Sequence, residues 1–366
     1  MKGFDLMRMT KFAISIAVGA LLLAGCTEKP KVLRVYTWYE YTAPELVTAF
    51  EQKYNCTVEI VTFETNEEMI SKLREKGCGD YDIIVPSAYF VRQMVKEGLI
   101  APIDHARCPS VKRNFLKEYA KMMPEDSELR YSVPYGIAHS GLMCATNRIP
   151  AGVDVGSWAV LGNPALKGHV FMVDDMREIL GIALISRGCS PNTEDAGEIA
   201  AAADQVLRWA PNVVQWGGDD TLFSSSVDAG VWVWLAYGDT AKQMIGQKGP
   251  AGSSGLVFIA PREGCLFTCD VLTVSSGSRN ADLAYAFIEF LYSDLEAGLA
   301  HMEYNGCLMP CAPALEEISP ELRKLAVPTP EVLSRAQILR GLDDKPEVLA
   351  LYEKAWERVV KGRQKR

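Results

Sequence analysis

Three carboxylates stand where a charge has to be accounted for. Asp270 lies inside an apolar run, after Leu266-Phe267 and before Val271-Leu272. An ionised group embedded in a strand is costly unless it is paired. Asp175 and Glu178 are three residues apart at the predicted start of a helix, a spacing that suits a capping box and the helix dipole as well as it suits a ligand. Aromatic residues accompany these acids. Trp38, Tyr39, Glu40 and Tyr41 close a predicted strand, Ser87 and Tyr89 follow another, and Trp232 and Trp234 share the face of a third. Carboxylates facing rings suit an organic cation, because an acid neutralises an ammonium group and a ring face attracts it by ~0.5–2 kcal/mol when desolvated. Paired acids beside rings also suit a sugar, bound or hydrolysed. Several of these residues have a purely structural alternative: Ser87 as a helix cap, Tyr89 as packing at a helix start, and both tryptophans as core.

The elements that must position them alternate. Residues 32–38 read as a strand and 44–54 as a helix opening at Pro44. Residues 58–63 read as a second strand, and a helix follows over 67–76 with Asn66 as its cap and Gly77 as its end. The continuous apolar run 81–85 reads as a parallel strand covered on both faces. Such alternation predicts an α/β, doubly wound sheet, in which ligands bind beyond the carboxyl ends of strands. An extended stretch over 132–146 is the first expected crossing to a second lobe. There, 168–173 and 230–235 read as strands, 176–187 and 239–245 as helices, and 256–260 and 266–274 as strands around a second crossing. Helices are predicted at 281–292, 294–303 and 346–361.

At 366 residues the chain suits two lobes. Its formal charge of −8 argues against nucleic acid as a partner. The first 25 residues hold three basic residues (Lys2, Arg8, Lys11) and Asp5, so without them the net charge is −10. Basic residues, then the apolar run 12–24, then Leu23-Ala24-Gly25-Cys26 resemble a bacterial lipoprotein signal with its lipobox. The expected mature chain begins at lipid-modified Cys26, crosses a tether over 26–31, and lies outside the cytoplasm on a membrane anchor. Nine further cysteines form an odd set, expected as buried thiols or one disulfide. Cys265 and Cys269 are too far apart along a strand to chelate one ion alone, and no metal or cofactor is expected.

Trp38-Tyr39-Glu40-Tyr41, the run from Tyr81 to Tyr89, Asp174-Asp175-Met176-Arg177-Glu178, Trp234 and Asp270 together resemble the spermidine/putrescine-binding receptors of bacterial ABC importers, over residues 32–360. The resemblance implies a two-lobed periplasmic-binding-protein fold of the second type, with two crossing strands as a hinge. The expected lobes are 32–136 with 265–312, and 137–264 with 313–366. It implies a sleeve of Trp38, Tyr41, Tyr89 and Trp234, with Tyr39, Glu40 and Ser87 beside it. Asp175 and Glu178 would hold one amine and Asp270 another. The partners it implies are a polyamine (putrescine, spermidine or both) and membrane permease subunits, and the receptor is expected to be a monomer. Thr268 and Cys307 depart from the family, which commonly carries tryptophan and tyrosine at those places.

Other readings are a same-fold receptor for a different cationic ligand and a surface lipoprotein with an interaction role. The sequence has no G-x-S-x-G, H-E-x-x-H or Walker loop, and no enzyme is expected.

Overall fold

The computed structural model describes residues 31–218, 221–222, 225, 229–246 and 255–364. The apolar run 12–24, Cys26 and all of the tether but Lys31 lie outside the described residues. In chain order the strands are Lys31–Trp38 (β1), Cys56–Phe63 (β2), Ile83–Ile84 (β3), Ile100–Ala101 (β4), Val133–Ala145 (β5), Val170–Val173 (β6), Val213–Gly217 (β7), Val233–Tyr237 (β8), Leu256–Ile259 (β9), Cys265–Ser275 (β10) and Ala336–Ile338 (β11).

Local chemistry sets the helices of the first half. Pro44 opens the helix Pro44–Tyr54, which buries Leu46 and Phe50 and ends where Asn55 turns left-handed at φ 49°. Thr65, not Asn66, caps the helix Asn66–Lys76: its hydroxyl accepts from the Glu68 N–H at 3.1 Å. Asn66 is the first helical residue, and its side chain is turned elsewhere. The predicted strand 81–85 contracts to β3, whose isoleucines are fully buried between β1, which runs parallel, and β10, which runs antiparallel.

The sheet is therefore mixed, in the order β2-β1-β3-β10-β5-β8-β6-β7. β5 and β10 are the crossing strands. The first part of β5 pairs antiparallel with β10, and its second part, from Ser140, pairs with β8 and β9. β10 begins beside β11 and ends beside β3 and β4. In the second half β6 runs parallel to β7 and β8. The helix Met176–Ile185 lies almost wholly buried, and the helix Ala196–Trp209 packs beside it.

Two hydrophobic cores result. One gathers Tyr36, Phe50, Ile83, Tyr135, Phe287 and Leu291; the other gathers Trp158, Phe171, Leu180, Trp209, Trp234 and Tyr352. Along the tail, Ala314, Ile318, Leu322 and Ala326 join the first core, and Leu339 joins the second. This is a two-lobed α/β solute-binding fold. Among the described residues no helix is long and apolar enough to cross a membrane.

Candidate functional site

The site is built around an irregularity in β10. The ladder with β5 is regular up to Asp270 opposite Gly136, and the register then shifts so that Val271 faces Pro134. Pro134 has no N–H to give the ladder, and the Val271 N–H goes to the Pro86 carbonyl at 3.0 Å. Such a bulge re-aims the side chain next to it, and the Asp270 carboxylate turns into a cleft.

Two hydroxyls hold that carboxylate. Ser87 donates to Oδ1 at 2.8 Å and Tyr41 donates to Oδ2 at 2.9 Å. Ser87 is fixed in turn by Asn66, whose Oδ1 accepts from the Ser87 N–H at 3.0 Å and whose Nδ2 donates to the Ser87 hydroxyl at 3.2 Å. Ser87 makes no side-chain cap to the short helix after it; its hydroxyl is spent on Asp270. Gly136 lets Tyr41 come close, because a Cβ there would clash with both the Tyr41 hydroxyl and Cys307 Sγ.

The second lobe supplies three further acids. Asp175 does cap its helix, accepting from the Glu178 N–H at 2.8 Å. Only half of a capping box forms, however: Glu178 does not reach back, and its Oε1 is buried without a hydrogen-bond partner. Both residues line the cleft, so Asp175 caps its helix and borders the cleft at once. The third acid, Asp239, opens the helix Gly238–Gly246 and also lines the cleft. Sequence reasoning missed it, since an aspartate at a helix start looks like an ordinary cap; here it accepts from the Thr240 N–H at 2.7 Å.

Burial dominates the electrostatics. It pushes Glu178 up to about 8, with Asp175 adding to the rise and the Tyr237 and Ser140 hydroxyls opposing it. It pushes Asp270 up to about 7, against hydrogen bonds from Ser87 and Tyr41, while Asp239 raises it further. Asp239 itself rises to about 6, and Asp175 rises as well, in each case chiefly through burial. The acids thus fall into two pairs, Asp175 with Glu178 and Asp239 with Asp270, in which Glu178 senses the charge of Asp175 and Asp270 that of Asp239. Among the described residues none of the four forms an ion pair with lysine or arginine. Burial and Asp270 also hold the Tyr41 phenol well above its usual range, so it stays a donor.

Trp38, Tyr39, Tyr41, Ser87, Tyr89, Asp175, Glu178 and Asp270, all expected from the sequence, line one cleft of about 310 Å³. Asn66, Tyr237, Thr240, Gln243 and Thr268 complete much of its wall. Trp38 packs on Phe63 with ring centroids 4.5 Å apart, and its indole N–H has no partner among the described residues.

Two expected residues are not in the cleft. Trp234 is fully buried in the second core and donates its indole N–H to the Ser225 hydroxyl at 2.7 Å. Its alternation within β8 points it to the inner face, opposite Met143 of β5. Glu40 has a positive φ of 50°, is exposed, and accepts from the Tyr304 hydroxyl on the outer surface. All nine cysteines among the described residues are free, and seven of them are buried. Among the described residues no group of three His, Cys, Asp or Glu side chains is placed to hold a metal ion.

Two α/β lobes crossed by paired strands, with a small cleft between them, are the architecture of a receptor that captures a solute. The chain belongs to the bacterial extracellular solute-binding proteins, whose family pattern it matches over residues 45–326. That membership puts it outside the cytoplasm and among binding proteins of transporters, which are not enzymes. It is 31% identical over 359 residues to the spermidine/putrescine-binding periplasmic protein of Salmonella typhimurium, covering 95% of this chain and 98% of that one. Its fold is similar to that of a Listeria monocytogenes protein provisionally assigned to a spermidine/putrescine ABC transporter, with a TM-score of 0.80, 26% identity, and 90% and 98% of the two chains covered. It is similar also to the TpPotD lipoprotein of Treponema pallidum, with a TM-score of 0.76, 27% identity, and 90% and 99% covered.

Proposed function

We propose that the cleft binds a polyamine, putrescine or spermidine or both, and that the loaded receptor delivers it to the permease subunits of an ABC importer. One observation carries this reading. Four half-buried or buried carboxylates, in two pairs, share the cleft with Trp38, Tyr39, Tyr41 and Tyr89 and form no ion pair among the described residues, Arg177 only partly offsetting the rise of Asp175. Burying acids without counter-charges is unfavourable, and a flexible dication supplies both charges while its methylenes lie along the rings. Trp38 Nε1 and Glu178 Oε1, both buried and unpartnered, fit the same interior.

The rest of the reading follows from the sequence. Residues 1–25 serve as a lipoprotein signal, Cys26 carries the acyl chains, and 26–31 tether a monomeric receptor to a membrane. Core membership supports lobes of 32–136 with 265–326 and of 137–264 with 339–364, in place of the tail boundary expected after residue 312. β5 and β10 form the hinge on which they close. Titration calorimetry with putrescine, spermidine, spermine and glucose oligomers tests the ligand. Saturable heat with an amine and none with the sugars is expected, and the reverse would remove the polyamine assignment.

A further inference from the structure

Besides the exposed Glu64, one more acid borders the cleft and is treated differently from the two pairs. Asp174 follows directly on β6 and lines the cleft beside Asp175, but its carboxylate is already occupied. Arg363, from the terminal helix Pro346–Gln364, donates to both of its oxygens, Nη1 to Oδ1 at 2.8 Å and Nη2 to Oδ2 at 2.7 Å. A bidentate fork of this kind is the strongest common form of charged hydrogen bond.

Arg363 is itself held on two sides. Its guanidinium lies 4.7 Å from the centroid of the Trp216 ring and 5.6 Å from that of Trp356, and the two indoles meet edge-on. Trp356 comes from the same helix as Arg363. Trp216 comes from β7, one residue before Gly217, whose carbonyl accepts from the Asp174 N–H at 3.0 Å. The terminal helix therefore reaches across its lobe to one particular acid on the cleft rim. The Asp174 side chain keeps about a third of its surface exposed, at 36%, so it stays within reach of a ligand if released. Its charge is felt in the site, since it raises the neighbouring Asp175.

We infer that Arg363 sets the charge selectivity of the cleft by withholding Asp174 from the ligand. With Arg363 in place the cleft offers the two acid pairs, matched to an amine of low charge. Without it Asp174 becomes an additional anion beside Asp175, and amines with more ammonium groups gain. This inference rests on the amine reading of the cleft.

The test is calorimetry of wild type, Arg363→Met, Arg363→Lys and the double variant Arg363→Met/Asp174→Asn with putrescine, spermidine and spermine at low and high salt. Arg363→Met is expected to raise the preference for spermine over putrescine by about five-fold at low salt, less at high salt. Arg363→Lys, which keeps the charge but not the fork, falls between. The double variant returns to the wild-type preference, because the freed acid is gone. If Arg363→Met weakens all three amines equally, or if the double variant keeps the altered preference, Arg363 only anchors the helix and the inference fails. A wild-type protein that binds none of the amines would instead overturn the amine reading, and this inference with it. Should Arg363→Met not fold, the comparison of Arg363→Lys with Arg363→Lys/Asp174→Asn decides in the same way.

Discussion

Tyr41 donates a 2.9 Å hydrogen bond to Asp270 across 229 residues of sequence. The donor follows the first strand, the acceptor lies at the bulge of a crossing strand, and Gly136 of the other crossing strand leaves the room for them to meet. Crossing strands and cleft acid therefore coincide: the bulge that interrupts the crossing pair is also what turns a carboxylate into the cleft.

Asp270→Asn keeps the shape of this side chain and removes its charge. Polyamine affinity is expected to fall at least about ten-fold, the scale of one buried charged contact. The free protein should respond in the opposite sense. Because burial raises Asp270 to about 7 in the folded state, its ionised form opposes folding, and that penalty grows as pH rises from the unfolded value near 4 through 7. The variant should thus melt at the same temperature as wild type at pH 4, and about 2–4 °C higher at pH 8. A lower melting temperature at pH 8 would show that the Asp270 charge is structural.

Ligand uptake should release protons. Asp239, Asp270 and Glu178 rest at about 6, 7 and 8, and an incoming dication favours their ionised forms. Affinity should drop as pH is lowered from 8 to 5, where protons compete with the ammonium groups. Calorimetry at pH 7 in two buffers of different ionisation heat should report a net release of about one proton or more. Identical heats in the two buffers would contradict it.

Gly136→Ala tests the packing beneath the site. The added methyl displaces Tyr41, so Asp270 loses one of its two donors and the binding wall moves. Amine affinity should fall several-fold. Crystals of the variant should show the Tyr41–Asp270 bond lengthened, and an unchanged bond with unchanged affinity would mean that Cys307 alone gives way.

Trp234→Phe separates core from site. It removes the bond to Ser225 and leaves a small cavity, which should cost about 1–3 kcal/mol of stability with ligand affinity unchanged. Trp38→Leu should do the reverse, because Trp38 lines the cleft. Loss of affinity in Trp234→Phe at temperatures where it is fully folded would return that ring to the site.

What could be read from the chain, and what could not, follows the range of the interactions. Asp270 stood out because a charge within an apolar strand demands a partner, and the ring cluster from Trp38 to Tyr41 stood out because it closes a strand. Asp239 did not, since one aspartate at a helix start resembles Asp195 or Asp294, which cap helices and do not line the cleft. Asn66 looked like a cap for the same reason; only the tertiary approach of Ser87 shows its side chain turned away. Trp234 was assigned to the sleeve by the family resemblance alone; the strand pattern had left core as its alternative, and the core is where it lies. The helix Ala196–Trp209 was not foreseen, although its buried Ile199, Ala202, Ala203, Val206 and Trp209 recur at helical spacing. The mixed sheet was also hidden: antiparallel pairing of β5 with β10 joins segments more than a hundred residues apart.

The central claim is that charge at both ends of a short aliphatic chain is what the cleft selects. The direct measurement is titration calorimetry of the wild-type protein with 1,4-diaminobutane and with 1,4-butanediol, which share a hydrocarbon body and differ in charge. Saturable binding of the diamine with no detectable binding of the diol is the predicted result. Equal affinity for the two, or binding of the diol alone, would contradict it.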